Sequence, residues 1–369
     1  MKAETKAIAL LLLILMGALG SALAGQNPAA SQMKAEISRL EQSRKQNPIS
    51  DKNLAELFSN VGDVLKAAGN ALDSDHLYLS LEKLGQAEDL LQGARRGANH
   101  ALVEKGGLEA FETEWGKVSV RLTALDKDAH ARDWGRAPLA IRAEAEAAQG
   151  RAIPLLEGGL GFATSSGPDA GLIYVGEAEG EADFASFCAS LKVASGKTQA
   201  FPLRSFLPEL QKLQEKTNAA FQPPKSIDLH PRFIALNSAI KLAEELDASR
   251  FYAGALYEYL EATRHYGMLD ARPVDADQKA RLLRQLPIEW KKLDSAASDD
   301  SIAQLFVERA EFYVRHADGS ASSEDEWRGA QVIVDQVLPA YYAAQKPAAA
   351  VERASGKTVD ITLVRWPYT

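Results

Sequence analysis

Leucine and alanine recur at steps of three and four along most of the chain, and that rhythm is helical. Between 77 and 102 the apolar positions are Leu77, Leu81, Leu84, Ala87, Leu91, Ala94, Ala98 and Ala101, one face of an α-helix. The same spacing predicts helices over 53–72, 108–125, 137–153, 169–195 and 207–220. It resumes over 232–246, 250–266, 276–293, 302–316 and 324–344. Pro154 follows 137–153 and is expected to kink or end that helix. Glycines in the first half of 169–195 predict close approach of a neighbouring helix.

Short connections in the second half (DAS, SAASDD, HADGSASS) predict that successive helices pack antiparallel. Ser323 to Glu326 has the form of a capping box opening the last of them. The expected fold is therefore all-α, with antiparallel helical hairpins stacked as a bundle or short α-solenoid. ALDSDH (71–76) and ALDKDAH (124–130) each read as a helix end, a weak repeat that matches no tetratricopeptide consensus. Val359, Ile361 and Leu363 alternate with polar residues, so 347–369 is expected to form a small β-hairpin or strand lying on the helices.

Composition shifts divide the chain further. Residues 25–50 are polar with two Asn-Pro steps and read as a loose arm carrying one short helix. Four prolines interrupt 197–227, which reads as a hinge between a helical lobe at 51–196 and a second at 228–346. The first 24 residues stand apart from the fold. MKAETK is a charged leader, AIALLLLILMGALGSA an apolar core, and Ala22-Leu23-Ala24 a small-x-small cleavage site. No second long apolar run follows, so no membrane span is expected once the leader is removed. The absence of an Asn-x-Ser/Thr acceptor favours a bacterial envelope, periplasmic or secreted.

Charge and cysteine content narrow the chemistry. The formal charge is −8, and removing Lys2, Glu4 and Lys6 with the leader makes the mature chain one unit more negative. That balance suits neither phosphate backbones nor anionic lipid, so nucleic acid is not an expected partner. Cys188 is the single cysteine, which excludes an intramolecular disulfide, and it reads as a small core residue. Two Gly-Lys-Thr copies, at 196–198 and 356–358, lack the earlier glycine of a phosphate loop, since Leu191 and Val351 stand there.

The stretch RFYAGALYEYLEATRHYG (250–267) comes closest to a chemical signature. At about 100° per residue, Tyr252, Tyr259 and Tyr266 fall within about 40° of arc beside Ala255 and Ala262. Glu258, Glu261 and His265 share a face roughly 140° away. They are metal candidates by type, but the pattern predicts a packed tyrosine seam with a solvated charged back. On that reading Glu261 and His265 make an ordinary surface pair four residues apart. Asp126, Asp128 and His130 are the second candidate, echoed by Asp73, Asp75 and His76, and read as turn and capping residues. No cofactor is expected. The sequence thus points to a binding or scaffolding role toward another envelope or extracellular protein, with a small ligand also compatible. The alternative is an envelope enzyme, metal-dependent or carbohydrate-active, with its site in the groove between the lobes.

The leader carries its own prediction. N-terminal sequencing of the exported protein should begin at Gly25; recovery of an intact, membrane-anchored Met1 form would contradict it.

Overall fold

The computed structural model describes residues 28–49, 51–52, 54–74, 76–134, 137–192, 203, 205–224, 226–269, 273–295, 301–317, 323–339 and 341–342. The leader at 1–24, both Gly-Lys-Thr copies and the β tail at 347–369 lie outside these. Among the described residues there is no strand, and the all-α expectation holds. In chain order the helices are α1 (Pro28–Gln46), α2 (Ala55–Asp73), α3 (Leu77–Gly97), α4 (Gly107–Ala131), α5 (Leu139–Ser166) and α6 (Pro168–Ser190). Then follow α7 (Leu207–Ala220), α8 (His230–Ala248), α9 (Tyr252–Gly267), α10 (Ala276–Ser295), α11 (Ser301–Ala317) and α12 (Ser323–Val332). The last runs on into a π-helical turn, Ile333–Val337, where one unbroken helix was expected.

One expectation needs correction. Residues 25–50 are no loose arm, because α1 occupies most of them and packs on α2 and α3. Ala29, Met33 and Leu40 form its buried stripe. Its prolines bracket the helix, Pro28 opening it and Pro48 lying just past its end, both positions where proline is tolerated. Of the two outcomes expected at Pro154, the helix does not end there, and α5 continues to Ser166. An interior proline costs about 3 kcal/mol. Burial of Ala152, Leu156, Gly159 and Ala163 on either side offsets that, since one buried leucine alone contributes about 1.5–3 kcal/mol.

Helix pairs build the body: α2 on α3, α5 on α6, α8 on α9 and α11 on α12, with α3 also lying along α6. Gly167 alone joins α5 to α6, at φ 108, a conformation side-chain-bearing residues rarely adopt. The glycines of α6 do what the sequence predicts. A Cβ on Gly176 would sit 2.8 Å from Gln92 C and Gly93 Cα, and one on Gly180 2.8 Å from Asp89 Cα. The α3 and α6 backbones are therefore in direct contact.

The largest apolar cluster draws on both sides of the proline-rich stretch. Tyr78, Leu79, Leu139, Ala143 and Ala147 pack with Leu256, Leu260, Phe306 and Val334. Helix α9 sits at the junction, against α8, α5 and α12.

The glycine contacts generate a paired prediction. Gly176→Ala should destabilise by about 1–3 kcal/mol through overpacking. Gly116→Ala, with nothing within 4 Å of the new methyl, should stabilise by about 0.5–1 kcal/mol through helix propensity alone. Urea denaturation of the two variants checks this; like effects of one sign would contradict it.

Candidate functional site

Helix α9 carries the 250–267 stretch, and its charged face is largely turned inward. Ala253, Gly254, Ala255 and Ala262 spread around the helix, so neighbours approach on several sides. A Cβ on Gly254 would meet Glu146 Cβ at 2.8 Å and Ala147 N at 2.9 Å on α5. Tyr259 is fully buried, as a seam residue should be, but Glu258 is only 4% exposed. The helical wheel gives the angle between the two faces correctly. It does not say how far either of them is buried, and in a helix packed on several sides both are largely covered, with Glu261 only 15% exposed.

Glu258 takes a 3.3 Å hydrogen bond from Arg151 Nη1. Glu261 accepts from Tyr313 Oη at 2.7 Å and from Arg264 Nε at 2.9 Å, and also pairs with Arg309. The expected Glu261–His265 pair is replaced by these partners. His265 lies with Nε2 3.4 Å from Arg264 Nη2, and burial holds its imidazole down to about 4. Among the described residues no three His, Cys, Asp or Glu side chains are placed to hold a metal ion.

Asp126, Asp128 and His130 lie within the last turns of α4, which runs on past them to Ala131. His130 Nδ1 is 2.9 Å from Asp126 O, and Nε2 is 2.9 Å from Ser249 O. Two carbonyl acceptors require both ring nitrogens to donate, which favours the imidazolium and raises its pKa. Asp126 Oδ1 receives Gln149 Nε2 at 3.1 Å. These residues tie α4 to α5 and to the α8–α9 corner, while Asp128 lines a small cavity beside Arg132 and Gln149. Of the echo, Asp73 pairs with Lys34 and His76 stacks on Trp290. Cys188 is buried, and burial pushes its thiol up.

What Glu258 and Glu261 face is a cavity of about 370 Å³ between helices from both halves of the chain. Glu82, Lys83 and Asp89 come from α3, Arg151 from α5, and Glu326 from α12. Tyr257 and Arg264 join the two glutamates from α9, and Arg309, Phe312 and Tyr313 come from α11.

Arg309 organises it. Its guanidinium is almost wholly buried, donating to Tyr313 Oη and Tyr78 Oη at 2.8 Å each and pairing with Glu82 and Glu261. Its charge also lies 4.8 Å from the Tyr257 ring centre and 5.1 Å from that of Tyr313. Arg151, half-buried, is a second cation of the cavity. Its Nε and Nη2 grip the Glu181 carboxylate at 2.5 and 3.0 Å while Nη1 reaches Glu258.

Two carboxylates outside the cavity lock the halves together. Glu146 on α5 accepts from the Ala253 and Gly254 N–H groups, at 2.8 and 2.9 Å, in the first turn of α9. Glu308 on α11 accepts from Tyr78 N at 2.8 Å in the first turn of α3. Each caps a helix N-terminus in the other half, where a negative charge meets unpaired N–H groups and the positive end of the dipole. Even the supporting residues correspond, with Arg142 bonded to Glu146 and Gln304 to Glu308, each four residues earlier.

Some acceptors remain. Asp89 Oδ1, Glu326 Oε2 and both oxygens of Glu144 are buried without a hydrogen-bond partner among the described residues. Burial first, then the nearby Glu82, pushes Glu144 well above the usual carboxyl range. Burial likewise raises Glu326 and Asp89, Asp89 also by its closeness to Glu181, and lowers Lys83. Sequence reasoning singled out Glu258 and Glu261 but missed Arg309, Arg151, Glu82, Asp89 and Glu144. One usable signal was AEAEAA at 143–148, where two glutamates sit in an alanine run that has no polar face to hold them. The chain matches no protein-family model, no curated protein and no solved structure.

Two predictions come from this geometry. Glu261→Ala leaves Arg309 short of a counter-charge and should cost about 3–5 kcal/mol. Glu245→Ala in the exposed Lys241–Glu245 pair should stay within about 0.5 kcal/mol. Chemical denaturation ranks them, and equal effects would restore the solvated-face reading.

The second concerns pH. Burial pushes Glu308 from an ordinary 4.5 up to about 7. A carboxyl raised on folding binds its proton more tightly in the folded state. Its contribution is therefore full below about 4.5 and is lost as pH rises through about 7. The stability of the unmodified protein relative to Glu308→Gln should thus fall by about 3 kcal/mol between about pH 4.5 and about pH 8. Urea melts across that range check it, and a flat difference would contradict it.

Proposed function

We propose that this chain is an exported binding protein for a small polar solute, held in the charged cavity between its two halves. The observation that carries this is a cavity of ligand size whose lining keeps buried carboxylate oxygens, Asp89 Oδ1 and Glu326 Oε2, without partners. A buried unsatisfied acceptor costs about 1–3 kcal/mol, more when charged. Both residues line the cavity beside the buried guanidinium of Arg309. Export rests on the leader pattern at 1–24. Among the described residues no helix is long and apolar enough to cross a membrane.

A scaffolding role through outer helix faces has less support. The large exposed apolar side chains Val120, Ile153, Ile234 and Leu283 stand on four different helices. The enzyme reading keeps one specific observation. Lys83 is 6% exposed and has its pKa lowered by burial, with the Arg309 cation also holding it down, the desolvation and neighbouring cation that activate an amine base or nucleophile. Turnover of the bound solute would move the proposal to that reading.

Native mass spectrometry of the mature protein taken from its own compartment tests the proposal. One small molecule should be retained per chain and lost in Glu326→Leu, and adding it back at about 100 times its Kd should stabilise the chain by about 2.7 kcal/mol. A ligand-free protein that no member of a broad polar metabolite panel stabilises would overturn the binding reading.

A further inference from the structure

A lysine keeps its charge by staying wet or by pairing with a carboxylate. Lys34, Lys117 and Lys241 do both, each more than half exposed and paired with Asp73, Glu114 and Glu245. Lys83 does neither. Among the described residues it alone of the lysines is buried, and no carboxylate there is its ion-pair partner. Its Nζ donates to the neutral amide of Gln86 at 2.8 Å and stands 4.4 Å from the centre of the Phe312 ring. The permanently charged Arg309 faces the same ring at 5.8 Å, so an ammonium on Lys83 would be a second cation around one phenyl group. Burial opposes that ammonium first, Glu82 and Glu326 favour it, Arg309 opposes it, and the balance lowers the pKa. The result is an amine on the wall of a cavity of about 370 Å³, with one N–H held by Gln86 and a lone pair to give.

Going beyond the binding reading and sharing only its cavity, we propose that Lys83 captures a small polar aldehyde or ketone as an imine. Nζ gives its lone pair to the carbonyl carbon, and the π pair of the C=O bond moves onto oxygen. Both protons of the nitrogen pass to that oxygen, the C–O bond breaks, and water leaves as the C=N bond forms. Electrons balance without an oxidant or a reductant. Arg264, also in the lining, has N–H capacity for the remaining oxygens of such a molecule, since Nη1 meets only Met268 Sδ at 3.8 Å and Glu326 at 3.9 Å.

Reductive trapping of the mature protein with glycolaldehyde and cyanoborohydride at about pH 7, read by peptide mapping, tests this. Cyanoborohydride supplies the hydride that turns the imine into a stable secondary amine. An exposed lysine is about 0.04% free amine at that pH, and each unit by which a pKa is lowered raises the fraction about tenfold. Lys83 should therefore be modified at least about tenfold faster than Lys241, which is 77% exposed. The lead should close once urea unfolds the chain, and also as pH rises past about 10.4, where both amines are free. Lys83→Met, shown to be folded by its melt, should lose the fast site and keep the slow background. Should that variant fail to fold, mapping of the unaltered chain alone decides. Modification of Lys83 no faster than of Lys241 in the folded chain, or a lead that persists in urea, would overturn the imine site, while the binding reading would still stand or fall by its retained solute.

Discussion

Arg309 cannot lose its charge at any pH the fold survives, and it sits where water does not reach. Moving such a cation out of water costs several kcal/mol, which is recovered only with close counter-charges and filled hydrogen bonds. Helix α11 supplies neither carboxylate. Glu82 comes from α3 and Glu261 from α9, so both helices must turn a charged side inward and stay there. The tyrosines follow from the same demand, because their rings flank the guanidinium and their hydroxyls take its remaining N–H groups. The cavity is what this cluster leaves open around itself.

The reciprocal caps extend that constraint from one side chain to the whole molecule. Glu146 and Glu308 stand on helices in opposite halves, and each closes the start of a helix in the other. Separating the halves would strand a buried carboxylate and a set of first-turn N–H groups at each end, in addition to exposing the shared apolar cluster. Small residues make the geometry reachable. Gly254 lets α9 touch α5 beside Glu146, and Gly176 and Gly180 let α6 lie against α3. Packing therefore places the charges, and the charges fix which packing is allowed.

Much of the fold is legible along the chain because helices announce themselves locally. The heptad of tyrosines at 252, 259 and 266, the glycines of 169–195 and the spacing of 77–102 translate directly into α9, α6 and α3. What fails is anything that depends on a partner far away in sequence. Arg309 lies 231 residues from Tyr78, and no periodicity connects them. Glu258 and Glu261 were found but turned the wrong way, since a wheel fixes relative angles and is silent on how many sides a helix buries. Alanine and glycine around α9, and the alanine run enclosing Glu144 and Glu146, are the local trace of that burial.

Whether the interior charges truly brace the two halves is decided by a double-mutant cycle on Glu82 and Arg309, using Glu82→Gln, Arg309→Met and the pair together. Two groups joined across a buried contact should show a coupling free energy of about 1.5–3 kcal/mol, with the double variant losing much less than the sum of the singles. Additivity within about 0.5 kcal/mol would mean that the pair is no more than a solvated contact, and the account of a charge-centred interior would fall with it.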